Sequence, residues 1–134
     1  MKSIATIEGI GPGYAAKLKL AGINSVEALL NKGGKKAGRR ELAASTGISE
    51  SVLLKWVNMA DLFRINGVAG QYAELLERAG VDTVKELAHR NAESLHQKMT
   101  EVNQSVQVVR QVPALGNVEK WVMQAKTLAP MVSH

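Results

Sequence analysis

The sequence predicts an all-α protein in which one helical unit is used twice. Three observations carry that expectation. A pattern of paired glycines recurs at a fixed spacing. The composition is 46% hydrophobic but only 4% aromatic, so Ala, Leu, Val and Ile must fill the core, and Ala and Leu lose little on entering a helix. No segment alternates as a strand should; Val106-Gln107-Val108-Val109 is the one β-like patch, too short for a sheet.

The repeat comes first, because self-similarity organises everything after it. Ile7-Glu8-Gly9-Ile10-Gly11-Pro12-Gly13-Tyr14-Ala15 aligns without a gap on Ile65-Asn66-Gly67-Val68-Ala69-Gly70-Gln71-Tyr72-Ala73. Ala21-Gly22-Ile23-Asn24-Ser25-Val26 then aligns on Ala79-Gly80-Val81-Asp82-Thr83-Val84, and Leu29 on Leu87. Lys55-Trp56-Val57 echoes Lys120-Trp121-Val122 at a longer offset, which places a short insertion around residues 100–117. The halves are therefore 1–62 and 63–134.

Each element has a local cause. From Gly13 to Leu20, Tyr14, Ala15, Leu18 and Ala21 fall on one helical face. Gly22 follows as a C-terminal stop. Ser25 and Thr83 stand as N-caps, and Thr83 with Glu86 forms a capping box. Gly47 ends a further helix, and Ser49 caps the one running through Leu53, Trp56, Val57 and Ala60. Asn91 can cap a helix containing Leu95 and Met99. Pro113 breaks the chain before a last helix over about 117–128.

The run Ile7-Glu8-Gly9-Ile10-Gly11-Pro12, with Ala15 and Leu18, resembles the helix-hairpin-helix motif of DNA repair and recombination proteins. The first half is similar to the tandem hairpins at the N-terminus of RecA-like recombinases, and the whole chain to a family of short bacterial proteins of unassigned function. The resemblance implies two tandem helix-hairpin-helix (SAM-like) units packed as one compact protein. It also implies sequence-independent contact with the DNA backbone, which carries over to Gly9, Ile10, Gly11 and Gly13, with Lys17 one turn into the helix. A helix N-terminus carries partial positive charge and free N–H groups, and so can hold a phosphate without reading a base.

The second copy departs from the motif. Ala69 replaces Gly11 and Gly70 replaces Pro12, while Glu74 and Glu77 stand where Ala16 and Lys19 do. A structural role is expected for Gly67, Ala69 and Gly70. Thr46-Gly47-Ile48-Ser49 offers another glycine beside a helix start, with Glu50 favouring packing there as well.

Charge points the same way. The net charge is +5, and residues 1–62 hold nine Lys and Arg against five acids, residues 63–134 eight against seven. The densest run is Lys32-Gly33-Gly34-Lys35-Lys36-Ala37-Gly38-Arg39-Arg40. It reads as a glycine-rich basic loop, either solvated, following a phosphate backbone, or docking an acidic protein.

Enzyme constellations are missing. His89, His96 and His134 have no zinc spacing, Asp61 and Asp82 have no paired acid, and Gly9-Ile10-Gly11 follows no strand as a dinucleotide site requires. Trp56 and Trp121 read as core anchors, and Tyr14 and Tyr72 as packing between helices with the hydroxyl at the surface. No cofactor, metal or catalytic residue is expected. Without cysteine, apolar leader or membrane-length run, a cytoplasmic monomer is expected. Two function classes remain: DNA binding through the first hairpin and the basic run, or a protein-interaction adaptor.

Overall fold

A computed structural model describes residues 2–68 and 70–134. Among them are eight α-helices, one short 3-10 turn and no strand; the only bridge pairs Ser3 with Ser25. The expected all-α class holds. The chain divides into two compact units, residues 1–61 together with 131–134, and residues 62–130. The last four residues thus belong with the first unit.

The first unit begins with the 3-10 turn Ile4–Thr6, followed by α1 (Pro12–Leu20), α2 (Val26–Gly33), α3 (Lys36–Thr46) and α4 (Glu50–Leu62), which ends at the boundary. Its core is Ile4, Ile7, Ile10, Leu18, Ile23, Val26, Leu29, Leu42, Leu53 and Val57, with Trp56. The second unit holds α5 (Gly70–Arg78), α6 (Val84–Ala88), α7 (Ala92–Ser105) and α8 (Leu115–Thr127). Within it α8 packs on α6 and α7, and α5 packs on α7. Its core is Ile65, Val68, Leu75, Leu76, Val81, Leu87, Leu95, Met99, Val118 and Val122, with Trp121.

The repeat is reproduced bond by bond. Ile10 N–H donates to Ile7 O, and Val68 N–H to Ile65 O. Ile23 N–H donates to Leu18 O as Val81 N–H does to Leu76 O, and Leu29 to Ser25 as Leu87 to Thr83. Gly9 and Gly67 have φ of 93° and 88°, and Gly22 and Gly80 have 84° and 95°. These four positions are left-handed, which is why glycine repeats there.

Both expected caps are in place. Ser25 Oγ accepts from Ala28 N–H at 3.1 Å and Thr83 Oγ1 from Glu86 N–H at 3.2 Å. Glu86 itself does something else: its carboxylate takes Arg90 Nε at 3.0 Å. Asn91 caps α7 through Ser94 N–H. Replacing Ser25 or Thr83 by Ala should cost about 1 kcal/mol each, read as a lower urea midpoint with an unchanged slope.

The insertion in the second half lies almost wholly in one link. Residues 106–114 link α7 to α8 where only 47–49 link α3 to α4, and α7 runs one residue past the equivalent end of α3. The β-like patch lies in this link. There Asn103 replaces a ladder partner, accepting from Val108 N–H and Val109 N–H and donating to Val109 O.

The first helices of the two units differ in what they bury. α5 buries Ala73, Leu75 and Leu76, whereas α1 buries Leu18 alone. At the position equivalent to buried Leu75 the first unit has exposed Lys17. Of the expected apolar face of α1, Leu18 is buried, Ala15 and Ala21 are half-buried and Tyr14 is 41% exposed, while Leu20, which lies off that face, is 90% exposed.

Candidate nucleic-acid interface

The first glycine turn is held from below by an indole. Gly9 lies over Trp56, and a Cβ placed there would stand 3.4 Å from Trp56 Nε1. Trp56 is buried, and Tyr14 meets it edge-on with ring centroids 4.9 Å apart. Ile10 is also buried and its N–H donates to the Ile7 carbonyl, so it anchors the turn from inside. Gly11 caps α1 in an extended conformation, with no side chain to bond the first turn, and Pro12 occupies N1. The helix bond nearest the start is Ala15 N–H to Gly11 O, which leaves the N–H groups of Gly13 and Tyr14 ahead of the ladder. Nothing lies within 4 Å of a Cβ at Gly11 or Gly13. Lys17 is exposed, its Nζ 5.9 Å from the Tyr14 ring centre. Gly9, Ile10, Gly11, Gly13 and Lys17 are therefore brought together at one helix start, with exposed Glu8 as the single acid of the turn.

The basic run is a different object from the loop expected. Lys32 and Gly33 end α2, Gly34 and Lys35 make the corner, and Lys36, Ala37, Gly38, Arg39 and Arg40 already belong to α3. Its three glycines serve close packing. A Cβ on Gly33 would stand 2.8 Å from Val57 Cγ2, one on Gly34 would strike the Met131 carbonyl, and one on Gly38 the Lys32 carbonyl.

Arg39, expected among the exposed phosphate contacts, is buried. It is 3% exposed, and its guanidinium donates to the carbonyls of Gly33 (2.9 Å), Gly34 (2.8 Å) and Ser133. It therefore fastens the corner and is not displayed to solvent. Lys32 is exposed but bonds Glu41 at 2.6 Å, an ion pair that holds the Glu41 carboxyl below the usual carboxylate range. Lys35, Lys36 and Arg40 are the exposed cations that remain of the run. Thr46-Gly47-Ile48-Ser49 packs: Gly47 is a left-handed C-cap, Ile48 is buried, and Ser49 Oγ accepts from Val52 N–H.

In the second unit Gly67 lies on Trp121 as Gly9 does on Trp56, with a Cβ distance of 3.3 Å to Nε1. Tyr72 lies on Trp121 with centroids 5.7 Å apart. Ala69 falls outside the described residues. Glu74 is tied to Arg78 across one helical turn. Asn66 N–H donates to Gln124 Oε1 at 2.9 Å, tying this turn to α8.

Two surface depressions flank Gly67 and Tyr72. One of about 550 Å³ is bordered by Gln71, Arg110 and Gln111, the other of about 360 Å³ by Asn66, Asn117 and Lys120. Sequence reasoning missed Arg110 and Lys120. One signal was available: the repeat puts Asn66 where the first turn has Glu8, so this turn has no acid of its own. Elsewhere, His96 is engaged by the Pro113 carbonyl at 3.0 Å. Among the described residues no three His or acidic groups cluster as a metal site, and no helix is long and apolar enough to cross a membrane.

No curated protein and no solved structure matches the chain. Residues 8–128 do match a family model, spanning both glycine turns, the α2–α3 corner and α8. The chain belongs to that family, described as Domain of unknown function (DUF4332).

Proposed function

We propose that the protein binds the nucleic-acid backbone without reading sequence, using the first glycine turn as a helix-hairpin-helix phosphate contact and the α2–α3 corner as a second positive patch. The observation that carries this is the bare start of α1. Gly11 and Gly13 leave it open, no side chain caps it, and Lys17 faces solvent where the second unit buries Leu75. A helix start of this kind offers N–H donors and partial positive charge to a phosphate oxygen. Lys35, Lys36 and Arg40 supply cations that require no sequence-specific fit.

The test is duplex binding by fluorescence anisotropy over a salt series. Affinity should be micromolar or weaker at physiological salt, and each phosphate neutralised should contribute about 0.9 to the log–log salt slope. Reversing Lys35, Lys36 and Arg40 together should flatten that slope by roughly 2 to 3, while Gly11→Glu should weaken binding at every salt concentration. Absence of binding at low salt would sink the reading.

The other reading is a protein adaptor. It is favoured by Leu20, a large apolar side chain left 90% exposed at the end of α1. A partner retained after nuclease treatment and lost in Leu20→Glu would support it.

A further inference from the structure

The segment Met131–His134 lies in the first unit and closes over the α2–α3 corner through Ser133. Ser133 N–H donates to the Gly34 carbonyl at 2.9 Å. Its two oxygens receive donors: the hydroxyl accepts from Lys36 N–H at 3.3 Å, and the carbonyl accepts from Arg39 Nη2. Lys36 is the first residue of α3, so its N–H is one that the helix cannot satisfy internally.

We propose that Met131–His134 is a strap holding the place of a phosphate group, which binds Lys36 N–H and Arg39 Nη2 at the start of α3 when the strap lifts. The inference rests on the reading of this protein as a phosphate binder, but it concerns a site separate from the first glycine turn.

The site is built whether or not the strap is seated. Arg39 Nη1 is fixed by the Gly33 and Gly34 carbonyls, so the guanidinium keeps its place after Ser133 leaves. Nη2 then loses the carbonyl that satisfies it, and a buried cationic donor left without an acceptor is costly. A phosphate oxygen restores the bond and adds opposite charge, and a second oxygen takes Lys36 N–H. Lys35, Lys36 and Arg40 project from the same corner, and α3 is eleven residues long, so its dipole adds to the attraction. Two acids face this region. Glu41 is taken up by Lys32, but the Glu50 carboxylate acts on Arg39 and opposes an incoming anion. Burial pushes the Arg39 pKa down and Glu50 pulls it back up, and the guanidinium stays charged throughout.

The experiment follows Ser133 amide exchange in the full chain, with a short duplex and, separately, with inorganic pyrophosphate. Either ligand should raise the exchange rate severalfold on saturation, because bound phosphate and seated strap exclude each other. A chain ending at Pro130 should bind the same ligand about tenfold more tightly if the strap is seated nine-tenths of the time, and Glu50→Gln should tighten it further. Unchanged exchange under both ligands overturns the proposal, as does a folded Pro130-ended chain that binds neither ligand more tightly. Should that chain fail to fold, exchange in the full chain decides. Release by duplex alone identifies a polynucleotide as the source of phosphate, and release by pyrophosphate alone a free phosphate compound. In the latter case, with no duplex binding at low salt, the strap stands and the nucleic-acid reading falls. The reverse, a salt-dependent duplex complex that leaves exchange and truncation without effect, removes the strap alone.

Discussion

Gly38→Ala is expected to destabilise the chain by about 3 kcal/mol, as overpacking against a fixed neighbour does. Helix propensity predicts the opposite sign, since Ala inside a helix gains roughly 1 kcal/mol over Gly. The structure decides between them. Gly38 is the third residue of α3, and its Cα faces the Lys32 carbonyl near the end of α2. The obstacle to a methyl group is backbone, so no rotamer change relieves it, and relief requires α2 and α3 to part. Separation of those helices would draw Gly33 away from Val57 and strain the Arg39 bonds at the corner. Gly116→Ala supplies the control. It lies in the first turn of α8 with nothing within 4 Å of a Cβ and no positive φ. It should stabilise by about 0.4 to 1 kcal/mol. Urea unfolding of the two variants should therefore move the midpoint in opposite directions.

Arg39→Met should cost about 3 kcal/mol, whereas Arg40→Met should stay within about 0.5 kcal/mol. The two arginines are adjacent and carry the same charge, so composition cannot separate them. Arg39 gives three charge-assisted bonds to backbone carbonyls, two of them buried, and methionine fills much of the volume while restoring none of the bonds. Arg40 is exposed and only contributes to the field. Binding should separate them the other way. Arg40→Met should weaken duplex binding and flatten its salt slope by up to about 0.9, a change readable in a fully folded protein.

The parts of this protein legible in its sequence are those fixed by local chemistry. A left-handed turn selects glycine, so Gly9, Gly22, Gly67 and Gly80 marked the repeat. A helix start selects a hydroxyl or amide, so Ser25, Thr83 and Asn91 marked three helices. The α2–α3 corner was misread for a physical reason. Glycine serves both a mobile loop and a place where two backbones nearly touch, and the run 32–40 has the same letters in either case. Helix α3 has no side-chain N-cap to announce it, since Lys35 occupies that position. The fate of Arg39 depends on a carbonyl 94 residues further along the chain, which no window on the sequence contains. The candidate site divides the same way. Gly9, Ile10, Gly11, Gly13 and Lys17 lie within nine residues of sequence and are legible together. Arg110 and Lys120 reach the second turn from the α7–α8 link and from α8, and their place was set only by folding.

The return of residues 131–134 to the first unit makes the second unit an insertion in the first. During synthesis the first unit therefore waits for its last piece. Residues 62–130 can condense as soon as they leave the ribosome, while the earlier corner still has Arg39 Nη2 without Ser133. The half made first is completed last, because its closure joins positions far apart in the chain. A ribosome stalled before Met131 should expose this order: the corner should be folded but unlatched, its Lys36 amide exchanging faster than in the full chain, while the amides of α8 are already protected.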